Sequence, residues 1–138
     1  MGLFSIFNKA DRENHLIEYR VGQEWHYHTR KNEEGSTLII VKIEPEEDDF
    51  IVHIHVSGVQ LATAHTTSGI VEYISHLPLS QEALLASITH LKNDRCAMPD
   101  YEFGYVRWKS AYDENKAGVF SIPLNEILNY LDKGIKTE

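Results

Sequence analysis

Along the first half of the chain, polar and apolar residues alternate with a period of two. Beyond residue 78 the apolar residues recur at intervals of three and four. The change of period predicts strands first and helices afterwards. The first strand is expected over Glu24–Arg30, with Trp25, Tyr27 and Thr29 on a buried face and His26, His28 and Arg30 on the other. A polar turn, Lys31–Gly35, leads into Thr37–Glu44, where Ile39, Val41 and Ile43 share one face and Leu38 and Ile40 partly fill the other. The charged turn Pro45–Asp49 precedes the clearest alternation in the chain, Phe50, Val52, Ile54 and Val56 against Ile51, His53, His55 and Ser57. Two shorter β pieces, Val59–His65 and Ile70–Ser75, flank the turn at Thr66–Gly69. Short loops between such segments imply an antiparallel meander.

Helix signals follow. Ser80 is a good N-cap with Glu82 in the first turn, and a helix to about Lys92 would bury Leu84, Leu85, Ile88 and Leu91. After Pro99, Asp100–Lys116 carries Tyr101, Tyr105, Trp108 and Tyr112 at helical spacing, with Gly118 as its stop. Pro123 suits a first helical turn, Leu124, Ile127, Leu128 and Leu131 form one stripe, and Gly134 marks an end. The expected fold class is α+β: an N-terminal antiparallel meander of about five strands covered on one face by about three C-terminal helices, with a curled, barrel-like sheet as its variant. At 138 residues, without repeats or a Pro/Gly/Ser linker, residues 1–138 are expected to form a single domain, with 1–15 a loosely ordered N-terminal segment.

Composition narrows the chemistry. Thirteen basic against twenty-one acidic residues give a net charge of -8 with no Lys/Arg run, which disfavours nucleic acid and favours a partner with a basic surface. Cys96 is the only cysteine, so neither an intrachain disulfide nor a cysteine-rich zinc site is available, and a cytoplasmic setting is the simplest expectation. The apolar start, Leu3, Phe4, Ile6 and Phe7, lacks the flanks of a secretion signal, and Ile6 occupies the position where a myristoylation signal requires Ser or Thr. No stable membrane anchor is expected.

Eight histidines stand out, four of them in two His-x-His pairs, His26/His28 and His53/His55. Each pair points to one face of its strand, an arrangement suited to metal ligation or proton transfer. In a meander the Thr37–Glu44 strand lies between the pairs and separates them by about 9.5 Å, two inter-strand steps. No metal is therefore expected unless closure of the sheet or a different strand order reunites the pairs and His65 or His76 adds a third ligand. No nucleophile elbow, phosphate loop or dinucleotide fingerprint occurs, Asp94-Arg95-Cys96 offers the thiol one cation, and no catalytic residue or cofactor is assigned. Candidate interface residues are the carboxylates Glu46, Glu47, Asp48 and Asp49 and the aromatic residues Tyr105, Trp108 and Tyr112, although an aromatic stripe at helical spacing commonly serves as core.

The expected function is that of a non-enzymatic acidic protein that binds another protein, a profile of size and charge that small antitoxin and immunity proteins share. The alternative is a small ligand- or metal-binding domain, or an enzyme, with a histidine-containing pocket between sheet and helices. A homo-oligomer joined through the aromatic helix is a third reading.

Overall fold

A computed structural model describes residues 18–64 and 67–136 of the chain; the N-terminal segment 1–15 and His65 lie outside the described residues. The fold is α+β. Five antiparallel strands, β1 (Glu24–Tyr27), β2 (Thr37–Glu46), β3 (Asp49–Ala62), β4 (Ile70–Ser80) and β5 (Ile88–Asn93), form one open sheet in the order β4-β3-β2-β1-β5. Among the described residues three helices accompany it, α1 (Gln81–Ser87), α2 (Glu102–Asp113) and α3 (Leu124–Lys136). The first four strands are the expected meander, and the barrel variant is not realised because β4 and β5 stay apart at opposite edges.

One face of the sheet carries the apolar core. Trp25 and Tyr27 of β1 align with Leu38 and Ile40 of β2, Val52, Ile54 and Val56 of β3 and Leu77 and Leu79 of β4, all buried. Ala83 and Leu84 of α1 and Leu124, Ile127 and Leu128 of α3 close over them. The Ser80 hydroxyl caps α1 by accepting from the Ala83 amide at 3.0 Å, as its sequence position implies. The i, i+3, i+4 stripe of α3 is buried as expected, and that helix continues through Gly134.

The segment after Ser87 departs from expectation: the helix stops there and Ile88–Asn93 forms β5 against β1. Ser87 turns its hydroxyl back to the Ala83 carbonyl at 2.6 Å, and its own carbonyl accepts the His28 amide at 2.9 Å. Branched Ile88 and Thr89 then follow, residues that favour the pleat. The otherwise open edge of β1 supplies the ladder, an energetic gain that helical spacing does not reveal. Leu91, expected in the helix stripe, is consequently exposed.

The pieces expected at Val59–His65 and before it are one strand, β3, bent at Gly58. That glycine has φ +84°, and a Cβ there would lie 2.9 Å from the Ser36 Cα. The close approach serves a buried polar bridge in which Ser36 contacts the Tyr27 hydroxyl at 2.7 Å and donates to the Ser57 carbonyl at 2.6 Å. β4 extends beyond its expected end, through Pro78, whose missing N–H is tolerated on an edge strand. Phe120 lines that edge, donating to the Pro78 carbonyl at 3.0 Å and accepting from Ser80 at 2.8 Å.

The helices divide between the two faces rather than sharing one. α1 and α3 pack on the Val52/Ile54/Val56 face, whereas α2 crosses the opposite face, where its Tyr105 and Trp108 rings each lie 5.0 Å from the His53 ring. Alternation along β3 requires this separation, because His53 and His55 point away from Val52, Ile54 and Val56.

Truncating Trp25, 7% exposed within the core, should cost about 3 kcal/mol or more. Gly58→Ala should cost about 1–2 kcal/mol for the left-handed backbone alone, and more for the contact with Ser36. Urea denaturation of the two variants checks both values; a Gly58→Ala protein as stable as the parent would mean that the bend at residue 58 is dispensable.

Candidate functional site

The second face of β3 meets α2 through hydrogen-bonding groups. Glu44 on β2, His53 on β3, His76 on β4 and Tyr105 on α2 form a continuous chain: the Tyr105 hydroxyl donates to Glu44 Oε2 at 2.7 Å, His53 Nε2 meets Glu44 Oε1 at 2.7 Å, and His53 Nδ1 meets His76 Nε2 at 2.8 Å. Because a carboxylate only accepts, His53 must carry its proton on Nε2. Neutral His53 then presents a bare Nδ1, and His76 must donate from Nε2. One tautomer of each ring is selected by the bonds that the other groups impose.

His53 is fully buried, with 0% of its surface exposed, and its ring is stacked on His76 with centroids 4.9 Å apart. Burial pushes its pKa below the ordinary histidine value, opposed by the Glu44 carboxylate. His76 falls further, to about 4, through burial and then the proximity of His53. Burial drives the Glu44 carboxyl upward, but the bonds from Tyr105 and His53 outweigh it and leave the group below the ordinary carboxylate value. Burial and the Glu44 carboxylate both raise Tyr105. At neutral pH the chain is therefore an uncharged tyrosine, an ionised carboxylate and two neutral imidazoles.

The histidine pairs named in the sequence are split by the sheet. β2 lies between β1 and β3, so His26/His28 and His53/His55 do not meet. His26 stacks instead on His90 of β5, with centroids 4.3 Å apart, while His28 is exposed beyond the end of β1. His55 stacks on Tyr73 at 5.8 Å, and among the described residues its buried Nδ1 has no hydrogen-bond partner. His76 does join His53, as a hydrogen-bond partner. Among the described residues, no group of three or more His, Cys, Asp and Glu side chains is placed to hold a metal ion. The Cys96 thiol is directed to the Gly22 carbonyl at 3.1 Å and is pushed up by burial and by Glu24, the opposite of an activated nucleophile.

The candidate interface residues are brought together. Tyr112, at the last turn of α2, donates to Glu46 Oε2 at 2.6 Å, so the acidic β2–β3 turn and the aromatic stripe form one surface. That bond pushes the tyrosine up to about 12. Trp108 stacks on Tyr112 at 4.6 Å and donates to the Gly118 carbonyl at 2.8 Å. Glu47 occupies the left-handed region at φ +52°, and Glu47, Asp48 and Asp49 are exposed at the tip. The stripe is half-buried rather than core, and no residue of α2 is fully buried.

At the other end of α2 an open groove of about 370 Å³ runs between the helix and the sheet, lined by His55, Tyr73, Ser75, Asp100, Tyr101, Phe103 and Gly104. Its one formal charge, Asp100, sits beside the positive end of the helix, and Arg107 rests over the Phe103 ring at 5.6 Å. These opposing charges select no ligand class. Gly104 permits the close docking of α2, since a Cβ there would lie 3.1 Å from the His76 Cβ and 3.2 Å from the Ser75 hydroxyl.

Glu44 and His76 carry this site together with the named His53 and Tyr105, yet their importance comes from the pairing of β2, β3 and β4. The sequence carried little local signal for either: Glu44 ends its expected strand beside a charged turn, with Lys42 and Glu46 on the same face, and His76, named there as a possible third metal ligand, lies just past the expected strand Ile70–Ser75. Compared with family models, curated proteins and solved structures, the chain matches none. Among the described residues no helix is long and apolar enough to cross a membrane.

Removing the Glu44 carboxylate orphans two donors at once, the Tyr105 hydroxyl and His53 Nε2. Glu44→Ala should therefore destabilise the protein by on the order of 2 kcal/mol, and Glu44→Gln by less, because the amide oxygen retains one acceptor. Denaturant titration of the two variants checks the order; equal losses would show that the donors find water instead.

Proposed function

We propose that this protein is a non-enzymatic binding protein whose recognition surface is the acidic β2–β3 turn together with the C-terminal half of α2, and whose partner is a protein with a basic surface. The observation that carries this reading is the bond from Tyr112 to Glu46, which holds a tyrosine edge and the cluster Glu46, Glu47, Asp48 and Asp49 side by side. Tyrosine and tryptophan provide large contact area at small entropic cost, and neighbouring exposed carboxylates raise the encounter rate with a cationic surface. Beside them, Asp113 is paired with Lys109 and Glu114 with Lys116, which leaves the negative charge of this surface to the turn. Against an enzymatic reading stands the use of both His53 nitrogens within the protein, which leaves that ring no atom for a substrate.

Immobilised protein should retain a basic partner from the native host, and the complex should weaken as salt rises from about 0.05 to 0.5 M because exposed charges are screened. Titration calorimetry with that partner should give at least a tenfold higher Kd for Tyr112→Ala, and a similar loss for Glu47→Lys combined with Asp48→Lys. Phe103→Ser, at the far end of α2, should bind as the parent does. A partner whose affinity ignores salt, Tyr112→Ala and the double lysine substitution docks elsewhere and overturns the assignment.

A further inference from the structure

The two faces of the sheet differ in the titratable groups they bury. The apolar cluster beneath α1 and α3 contains no histidine and no residue of α2. Beneath α2, by contrast, the contact surface is made by His53, His76, Glu44 and the aromatic rings of the helix. α2 also lacks a fully buried residue, so little apolar burial holds it beyond these contacts.

Protonation acts on this contact in two steps. With both rings neutral, one proton lies between His53 Nδ1 and His76 Nε2, which are 2.8 Å apart. A first added proton is tolerated, because one nitrogen of the facing pair still accepts and Glu44 balances the charge. A second leaves two N–H groups facing each other and no acceptor between them. The charged groups around the pair make this worse: Lys42 from β2 and Lys109 from α2 both oppose protonation of His53, and among the described residues Glu44 is the one carboxylate in contact with it. Tyr105 and Trp108 pack on the rings from the helix and contribute no negative charge.

We propose that α2 is an acid-released lid: protonation of the His53–His76 pair undocks the helix from the second face of the sheet while the apolar core beneath α1 and α3 stays folded. Both rings titrate below the ordinary histidine value of 6.5 when α2 is docked, His76 at about 4. Their depressed pKa means that the undocked state binds protons more readily, so docking is at full strength above about pH 6.5 and is lost as pH falls toward 4. Undocking separates Tyr112 from Glu46 and exposes His53. If the recognition surface proposed above is correct, a consequence that rests on that reading is release of the basic partner in acid.

The two tryptophans report the two faces separately, since Trp25 lies in the core and Trp108 on α2. Acrylamide quenching of Trp25→Phe and Trp108→Phe proteins, followed from pH 7.5 to pH 3.5 in dilute solution without any partner, should show Trp108 becoming accessible first, with Trp25 still protected. Hydrogen exchange of 102–113 against 51–56 gives the same comparison in the unsubstituted chain. His76→Gln retains a donor to His53 Nδ1 but cannot titrate, and it should keep α2 docked at pH 4. His26→Gln, between β1 and β5, should leave the transition where it was. A single transition in which both faces open together, or an acid transition unmoved by His76→Gln, overturns the proposal, and neither outcome bears on whether the acidic turn binds a partner at pH 7.5.

Discussion

A polar side chain fully buried on a strand covered on both faces must find its partners without water, and His53 on β3 is such a residue. An unpartnered imidazole there would cost a few kcal/mol. The cost is avoided because three other elements deliver partners: β2 brings Glu44 to one ring nitrogen, β4 brings His76 to the other, and α2 brings Tyr105 to the second carboxylate oxygen. The register of β2 on β3 and β4 on β3 is thus tied to one buried residue as well as to the apolar rows of the other face. A slip of one residue would exchange the two faces and place His53 among Val52, Ile54 and Val56. The seat of α2 follows from the same requirement, since its inward side chains bond or stack with this group.

How far the sequence reveals this differs between the two faces. The core face was legible: the alternation of Trp25 with Tyr27 and of Val52, Ile54 and Val56, and the helical stripe Leu124, Ile127 and Leu128, all mark residues that are buried. Apolar periodicity reports burial against an apolar layer, which is what that face provides. The segment Leu84–Leu91 was misread because leucine and isoleucine at helical spacing also fit a short helix followed by a strand, and the choice depends on β1, some sixty residues away, needing a partner. Local pattern contains no information about that vacancy.

The second face was less legible for a related reason. His53 and His55 look like a solvent-facing row, and a polar row is ordinarily solvated. What buries His53 is α2, whose sequence shows aromatic residues on the inward side but also Phe103 and Val106 exposed on the outward side, so the helix has no clean apolar face. The aromatic stripe was visible, whereas its counterpart was not. Glu44 gave no local sign of its role, because a glutamate at the end of a strand beside a charged turn reads as surface. The candidate interface, by contrast, was named piecewise in the sequence, and the fold supplied the contact between Tyr112 and Glu46 that unites it.

The unequal legibility has an energetic counterpart. Burial of Leu, Ile and Val is stabilising at any pH and gains nothing from particular partners. The Glu44–His53–His76–Tyr105 chain is stabilising only while each proton occupies its required nitrogen or oxygen, because each bond fixes the donor in the next. The fold therefore joins a face whose stability is insensitive to protons to one whose stability is conditional on them, through a single strand that belongs to both. The helix that depends on the conditional face also carries Tyr112, half of the contact with the acidic turn. On the proposed reading, a recognition surface that straddles the turn and α2 would be assembled by the protonation state of residues that a partner does not touch.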